Sequence, residues 1–513
     1  MAHVSVTPGT GSFEVTLPDE RALLWLMMDI AAAIMPGDFI TLSGDLGAGK
    51  TTFARALIRY LARDSSIEVP SPTFTLIQTY DLPRHTIVHA DLYRVTGVAE
   101  LTELGFDDLP PEAVTLLEWP DRATGFLSRD RFDIALKLAP HEGDSVRHVK
   151  VTGHGSFAPR AERIAAIRNF LNDAGLDHAY RLHIQGDAST RAYERLVRDK
   201  ETLILMNAPK RPDGPPVRYG KPYSAVAHLA EDVRPFMAMA GGLREVGLSA
   251  PAVYHADSDQ GLLVLEDLGD EKVVSGTPPL PIAERYEAAV DALAHLHSAD
   301  LPAVLPISPH VEYKIPRYDI DAFLIEAELL LDWYMPRLDV EVTPQVREEF
   351  RTLWREALAP ALQGRATWVL RDYHSPNLIW LPERKRIARV GILDFQDAVL
   401  GPAAYDLASL LQDARVDASE GMEITLVGRY TRMRREADRS FDPNGFVRIY
   451  AVLAAQRATK ILGIFARLDM RDGKPQYLRH MPRIWGYLER ALGHPALAPL
   501  KAWYRANVPS VKI

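Results

Sequence analysis

The chain has 513 residues, more than one ordinary core accommodates, so roughly two to four domains are expected. It has no cysteine, which excludes disulfides, thiolate zinc sites, iron–sulfur clusters and cysteine nucleophiles and suits a reducing compartment, the cytoplasm. Its formal charge of −9, from 59 basic and 68 acidic residues, suits direct nucleic-acid binding poorly, and no membrane association is expected: residues 1–6 lack signal-peptide order, and the apolar stretch 23–35 is too short to span a bilayer.

In chain order, the first chemical signal is Gly44-Asp45-Leu46-Gly47-Ala48-Gly49-Lys50-Thr51, which fits Gly-x4-Gly-Lys-Thr. The apolar run 38–43 before it reads as a strand, and residues 52–63 after it as an amphipathic helix, the context a phosphate-cradling loop requires. The glycines let backbone N–H groups of this loop turn inward on a phosphate, and the helix start, including Thr52, adds a favourable dipole. Lys50 is expected to reach the β- and γ-phosphates and Thr51 to hold Mg2+, making ATP and Mg2+ the expected cofactors.

Ser71-Pro-Thr73-Phe-Thr75 lies in a loop ahead of a strand. Strand-like runs at 86–92 and 113–119 carry Asp91 and Glu118 at their ends. This alternation argues a parallel sheet with crossover helices, where ligands sit beyond the carboxyl ends of the strands. Both acids are therefore expected near the phosphates, one holding Mg2+ with Thr51 and the other orienting the attacking water.

Residues 151–159 are rich in Gly, Ser and Pro and read as a linker, giving expected boundaries of 8–152 for a P-loop ATPase domain, 153–160 for the linker and 161–513 for a second domain. Residues 161–174 follow with Ile164, Ile167 and Leu171 on one helical face. Short strands are then expected over 180–206 and 252–265, and helices over 284–298, 321–334, 345–359 and from 404 through 435. A small lobe of about 176–270 before a large helical lobe of about 281–510 is the shape of a kinase. The expected fold is thus an α/β P-loop NTPase domain followed by an α+β, two-lobed, protein-kinase-like domain.

In that second domain Asp372 and Asn377 stand five apart in Arg371-Asp-Tyr-His-Ser-Pro-Asn377, and Asp394 of Asp-Phe-Gln-Asp397 comes seventeen positions later. Asp372 is expected to take the proton of an attacking hydroxyl, while Asn377 and Asp394 hold the metal. Leu370 stands where the catalytic loop of protein kinases has His, Gln396 replaces the Gly of Asp-Phe-Gly, and no Ala-Pro-Glu segment follows. Asp406, at a helix start, is expected to brace the catalytic-loop backbone. The 16 histidines show no zinc-site spacing, and Trp333, Tyr334 and Trp354 are expected in the core.

Residues 44–53, Ser71–Thr75, His89–Arg94, Glu103–Phe106 and Glu118–Pro120 together resemble the TsaE-type ATPases of bacterial tRNA threonylcarbamoyladenosine synthesis. The resemblance implies Mg2+ at Thr51 and Glu118, a catalytic or nucleotide-sensing role for Asp91, a switch-like loop at Thr73 and packing of Trp119 near the nucleotide. It also implies partners: the threonylcarbamoyl-transferase subunit and its non-catalytic paralogue, a complex that ATP hydrolysis resets between modifications of adenosine 37. The second domain resembles the aminoglycoside-phosphotransferase superfamily. Gln185–Tyr193, Leu203–Pro209 and Leu263–Gly269, with the Asp372 and Asp394 segments, are similar to the anomeric kinases of N-acetylmuramic acid and N-acetylglucosamine in cell-wall recycling. That likeness implies an amino-sugar substrate, a turn over the phosphates from Gly186 to Arg191 including Ser189, and a hinge at Glu266 to Leu268 facing adenine. Met206 occupies the expected position of the phosphate-anchoring lysine and Lys210 lies beyond Pro209, so no such lysine is assigned. The alternative is a kinase of an aminoglycoside or related amino sugar, with the P-loop half as a regulatory nucleotide-binding module.

Overall fold

The computed structural model describes the chain apart from residues 1–3, 8, 96–99, 101–105, 107–108, 126, 185–190, 211–212 and 510–513. It divides into two compact units, Met1–Asn207 and Ala208–Ile513.

The first unit is built on an eight-stranded sheet. Its strands are β1 (Val4–Thr7), β2 (Ser12–Leu17), β3 (Phe39–Ser43), β4 (Ile77–Asp81), β5 (Thr86–Asp91), β6 (Val114–Glu118), β7 (Arg131–Leu138) and β8 (Arg147–His154), in the order β1-β2-β8-β7-β3-β6-β5-β4. The four central strands, β7-β3-β6-β5, are mutually parallel, and those outside them pair antiparallel. The sequence revealed β3, β5 and β6, whose residues are buried in continuous runs such as Val114 to Leu117, but not β7, whose buried positions alternate. Helix α1 (Glu20–Ala33) is capped by Asp19, whose carboxylate accepts from Ala22 N. Helix α2 (Lys50–Ala62) follows the P-loop and buries Phe53, Ala54, Leu57 and Ile58 at helical spacing.

The expected linker is ordered structure. Residues up to His154 belong to β8, Gly155–Phe157 form one 3-10 turn, and α3 (Ala158–Asp173) begins directly afterwards. Its glycines serve close packing: a Cβ on Gly153 would lie 2.2 Å from Phe157 O, and Gly155 adopts φ +58° against Asp130. Phe157, Ala161, Ile164 and Ala165 join the core of the sheet.

The compact unit also runs past residue 160 to take in the antiparallel strands β9 (Tyr180–Ile184), β10 (Ala192–Arg198) and β11 (Glu201–Asn207), which were expected in the second domain. A buried ionic cluster holds them. Arg168 on α3 and Arg181 on β9 both pair with Asp29 on α1, and Arg181 also forks onto Glu194 of β10 (2.8 and 2.7 Å). Burial works against the Arg181 charge, but Glu194 and Asp29 more than offset it and hold its pKa above the ordinary value. Tyr60, on α2, donates to the Arg181 carbonyl.

The second unit contains α4 (Arg234–Glu245), the hairpin β12 (Val253–Asp257) and β13 (Leu262–Glu266), then α5 (Ala283–Ser298), α6 (Ile320–Ala327) and α7 (Pro344–Gln363). Two small ladders frame the catalytic segments: β14 (Thr367–Val369) pairs with β17 (Val399–Gly401), and β15 (Leu378–Trp380) with β16 (Val390–Ile392). Helices α8 (Ala404–Leu411), α9 (Glu420–Ala437), α10 (Pro443–Met470), α11 (Met481–Ala491) and α12 (Ala498–Asn507) complete it. Helix α10 is long and apolar enough to cross a membrane, but 78% of its apolar window is buried in the protein. Trp354 and Tyr334 are core residues, as expected, and Trp333 is half-buried.

Candidate functional sites

The P-loop joins β3 to α2 with Gly44, Gly47 and Gly49 at φ +136°, +83° and +106°. Gly44 has no room for a side chain, since a Cβ would lie 2.2 Å from Leu136 O. Gly49 caps α2 in the left-handed region, so the helix's free N–H groups open towards the loop. Ala48 N donates to Asp45 O (3.1 Å), Ala48 is buried, and Leu46 stands out at the loop tip. Lys50 Nζ donates to the carbonyls of Gly44 (2.7 Å) and Asp45 (2.9 Å) and lies 3.7 Å over the Trp119 ring. Burial lowers the Lys50 pKa, with Glu118, Asp91 and Asp45 opposing.

Strand register brings the two acids together. Asp91 is the direct partner of Glu118 across β5 and β6, and Glu118 is the partner of Leu42 across β6 and β3. Thr51 Oγ1 donates to Glu118 Oε2 (2.9 Å). Asp91 Oδ2 accepts from Ser71 (2.6 Å) and Thr73 (2.9 Å), so the Thr73 loop is tied to the acid and not to the glycines. Trp119 follows Glu118 at φ +62°. Thr52, next to Thr51, is half-buried in the first turn of α2. Sequence reasoning placed His89 in a matching segment but gave it no role. It is fully buried on β5 and donates from Nε2 to Glu118 Oε1 (3.0 Å). The available signal was an imidazole inside an otherwise apolar strand, two residues before Asp91.

In the second unit, Asp406 accepts from Leu370 N (2.7 Å) and Arg371 N (2.9 Å), bracing the catalytic loop from the start of α8 as the sequence suggested. Arg371 sits at φ +66°, and its buried guanidinium pairs with Glu326, which also takes Lys460 Nζ (2.8 Å). These contacts fix the backbone next to Asp372, whose side chain is 40% exposed with its carboxylate 3.9 Å from His374 Nε2. Burial would raise the Asp372 pKa, but His374, Lys460, Arg371 and Arg457 together hold it below the usual carboxylate value, so it stays an anion. Asn377 Nδ2 donates to Asp372 O (2.9 Å) and lies 3.5 Å from Asp394 Oδ2. Asp394 has φ +57°, and Gln396 Nε2 donates to its Oδ1 (2.8 Å).

The donors suit Mg2+, a hard cation that prefers oxygen. Thr51 and Glu118 offer a hydroxyl and a carboxylate at the P-loop. Asn377, with its amide nitrogen engaged by Asp372 O, offers its carbonyl oxygen beside Asp394. The hinge reads differently from expectation in one respect. The Glu266 carboxylate is occupied by Arg244 (3.2 Å), Arg384 and Ala252 N (3.2 Å) and so is engaged within the protein, while Leu268 is buried. Gly186 and Ser189 lie outside the described residues, as do positions 103–105 of the Glu103–Phe106 segment. Met206 is buried in β11.

Comparison with known proteins also finds two parts in the chain. The family model "Threonylcarbamoyl adenosine biosynthesis protein TsaE" matches residues 17–148, and "Phosphotransferase enzyme family" matches residues 182–440. The chain is 41% identical over 362 residues to the N-acetylmuramate/N-acetylglucosamine kinase of Caulobacter vibrioides, covering 68% of this chain and 98% of that one. It is 34% identical to the kinase of the same name from Pseudomonas aeruginosa, covering 61% and 84%. It is 40% identical over 108 residues to the tRNA threonylcarbamoyladenosine biosynthesis protein TsaE of Rickettsia bellii, covering 21% and 74%. The second match begins inside the first compact unit, at the strands that the Asp29 cluster holds. The chain is an ATP-dependent phosphotransferase enzyme that belongs to the TsaE family through its P-loop domain and to the phosphotransferase enzyme family of N-acetylmuramate/N-acetylglucosamine kinases through the rest.

Proposed function

We propose that the protein is bifunctional. Its second site phosphorylates the anomeric hydroxyl of N-acetylmuramate and N-acetylglucosamine, in cell-wall sugar recycling. Its P-loop site hydrolyses ATP in support of threonylcarbamoyladenosine formation at tRNA position 37, acting on the threonylcarbamoyl-transferase subunit and its non-catalytic paralogue. Both activities belong to the cytoplasm.

The observation that carries the kinase reading is Asp372: an accessible anion on a backbone clamped by Asp406 and Asn377, next to Asp394. Similarity over 98% of the Caulobacter kinase supplies the substrate class. The sugar hydroxyl oxygen attacks the γ-phosphorus of ATP, the bond from phosphorus to the bridging oxygen breaks, ADP departs, and the proton passes to Asp372. Bound Mg2+ would neutralise the phosphate charge. At the P-loop, Lys50 and the helix start would hold the phosphates, while Asp91, tied to Thr73, would sense or orient the water.

The test is incubation of the purified full chain with ATP and each sugar, followed by phosphorus NMR. An anomeric phosphate that disappears in D372N is expected. An inert protein with both sugars would overturn the kinase reading, and ATP hydrolysis indifferent to the tRNA-modifying complex would overturn the other half.

A further inference from the structure

The catalytic loop has two flanks. On one, Asp394 lies beside Asn377, and Gln396 donates to Asp394. On the other, residues 412–416, just after α8, hold the loop from behind: Asp413 Oδ2 accepts from Ser375 N (3.0 Å) and Ser375 Oγ (2.6 Å). Later helices deliver cations to this second flank. Arg457 of α10 donates from Nη1 to Gln412 O (3.3 Å), and Arg483 of α11 donates to Ala414 O (2.9 Å). Arg415 lies within the segment, and His480 precedes α11. Arg457 stands one turn before Lys460, which grips the Glu326 that fixes Arg371, so this face of α10 runs alongside Asp372.

Arg457 is 7% exposed; among the described residues it donates to a carbonyl and faces the reactive Asp372, and Arg483 likewise donates to a carbonyl. The buried acids behind the loop are engaged elsewhere: Asp413 accepts from Ser375 and Arg415 N, and Glu423 from Gln412 Nε2 and Tyr450 while pairing with Arg490. Burying guanidinium groups is costly unless they are paired, and Asp372, the carboxylate that Arg457 faces, is shared with His374, Lys460 and Arg371, so this flank keeps positive charge that a substrate anion can meet. The same positive field reaches the loop: Arg457 and Arg415 both act against protonation of His374.

We infer that Arg457 and Arg483, with Arg415 and His480 beside them, form the acceptor-reading flank of the kinase site and take a carboxylate carried by the sugar. The inference rests on the sugar-kinase reading and deepens it. Of the two sugars, N-acetylmuramate bears a lactyl carboxylate on its ring and N-acetylglucosamine bears none. Planar guanidinium groups match a carboxylate through paired N–H donors. A polycationic acceptor such as an aminoglycoside would meet repulsion from the same flank.

The experiment measures kcat/KM of the full chain for both sugars in the wild type, R457Q, R457K and R483Q. The expected result is that the ratio of N-acetylmuramate to N-acetylglucosamine efficiency falls tenfold or more in R457Q, chiefly through the KM for N-acetylmuramate. R483Q should show a smaller fall in the same direction, and R457K should recover part of the ratio. Because each variant is read on two sugars, a folding defect lowers both efficiencies and leaves the ratio alone. An unchanged ratio in R457Q and R483Q, with or without loss of activity, would overturn the inference while leaving the kinase reading intact. A wild type inert on both sugars would overturn both.

Discussion

His89 Nε2 donates to Glu118 Oε1 at 3.0 Å while Thr51 holds the other oxygen of the same carboxylate at 2.9 Å. The imidazole thus sets the orientation of the acid that would share a cation with Thr51, from the strand that ends in Asp91. Groups of this kind typically govern metal affinity by about 10- to 100-fold. In H89A the Mg2+ concentration that half-saturates ATP hydrolysis should rise by about tenfold. A Mg2+ titration of hydrolysis checks it, and an unshifted midpoint would mean that Glu118 needs no such support.

Lys50 is a cation of the P-loop site, and Asp372 belongs to a different compact unit. K50A should lower ATP hydrolysis by at least about 100-fold, the scale of removing a preorganised electrostatic contact. Sugar phosphorylation by the same variant should persist. Loss of both activities would mean that the two sites are coupled.

The pairing of Arg181 with Asp29 and Glu194 makes a third expectation quantitative. Removing one partner of a buried ion pair costs about 3–5 kcal/mol, because the other charge stays buried alone. R181M should therefore lower the unfolding free energy of the first compact unit by about that amount, read from a denaturant titration. A fragment ending at residue 160 removes Arg168 and Arg181 together and should fail to fold, whereas one ending at residue 207 should give a cooperative transition.

That last contrast shows where the sequence stops being informative. The P-loop was legible because its requirements are local: three glycines, a lysine and a threonine at fixed offsets between a strand and a helix. The Asp372–Asn377–Asp394 set was legible for the same reason. The bond between Arg181 and Asp29 spans 152 positions, and neither residue carries a pattern that announces the other. The stretch 151–159 misled because glycine marks close backbone approach as well as flexibility, and at Gly153 it is the approach of Phe157 that requires it. His89 and Arg457 stayed hidden because their partners, Glu118 and the Gln412 carbonyl, lie on other elements.

His297 offers a pH test of the loop brace. It is fully buried, its Nδ1 meets Tyr430 OH (2.8 Å), and its Nε2 lies 3.8 Å from Asp406. Burial lowers its pKa from the ordinary 6.5, with Asp406 opposing. Below pH 6.5 the unfolded chain binds a proton there that the folded chain refuses. Its stabilising contribution is therefore complete above that pH and is lost as pH falls towards the depressed folded value. Thermal melts of the wild type should drop between neutral and mildly acidic pH, and H297Q should flatten that slope. An identical slope in both would assign the acid sensitivity elsewhere.

The Lys50 ammonium resting on the Trp119 ring gives the first domain an intrinsic optical signal. A triphosphate bound in the glycine loop would compete for that ammonium with the Gly44 and Asp45 carbonyls and would draw it off the indole face. Indole emission responds to a nearby charge, so nucleotide arrival and departure can be followed by fluorescence without a label. A W119F chain, silent at that position, would separate this signal from the other seven tryptophans, since the chain has eight in all.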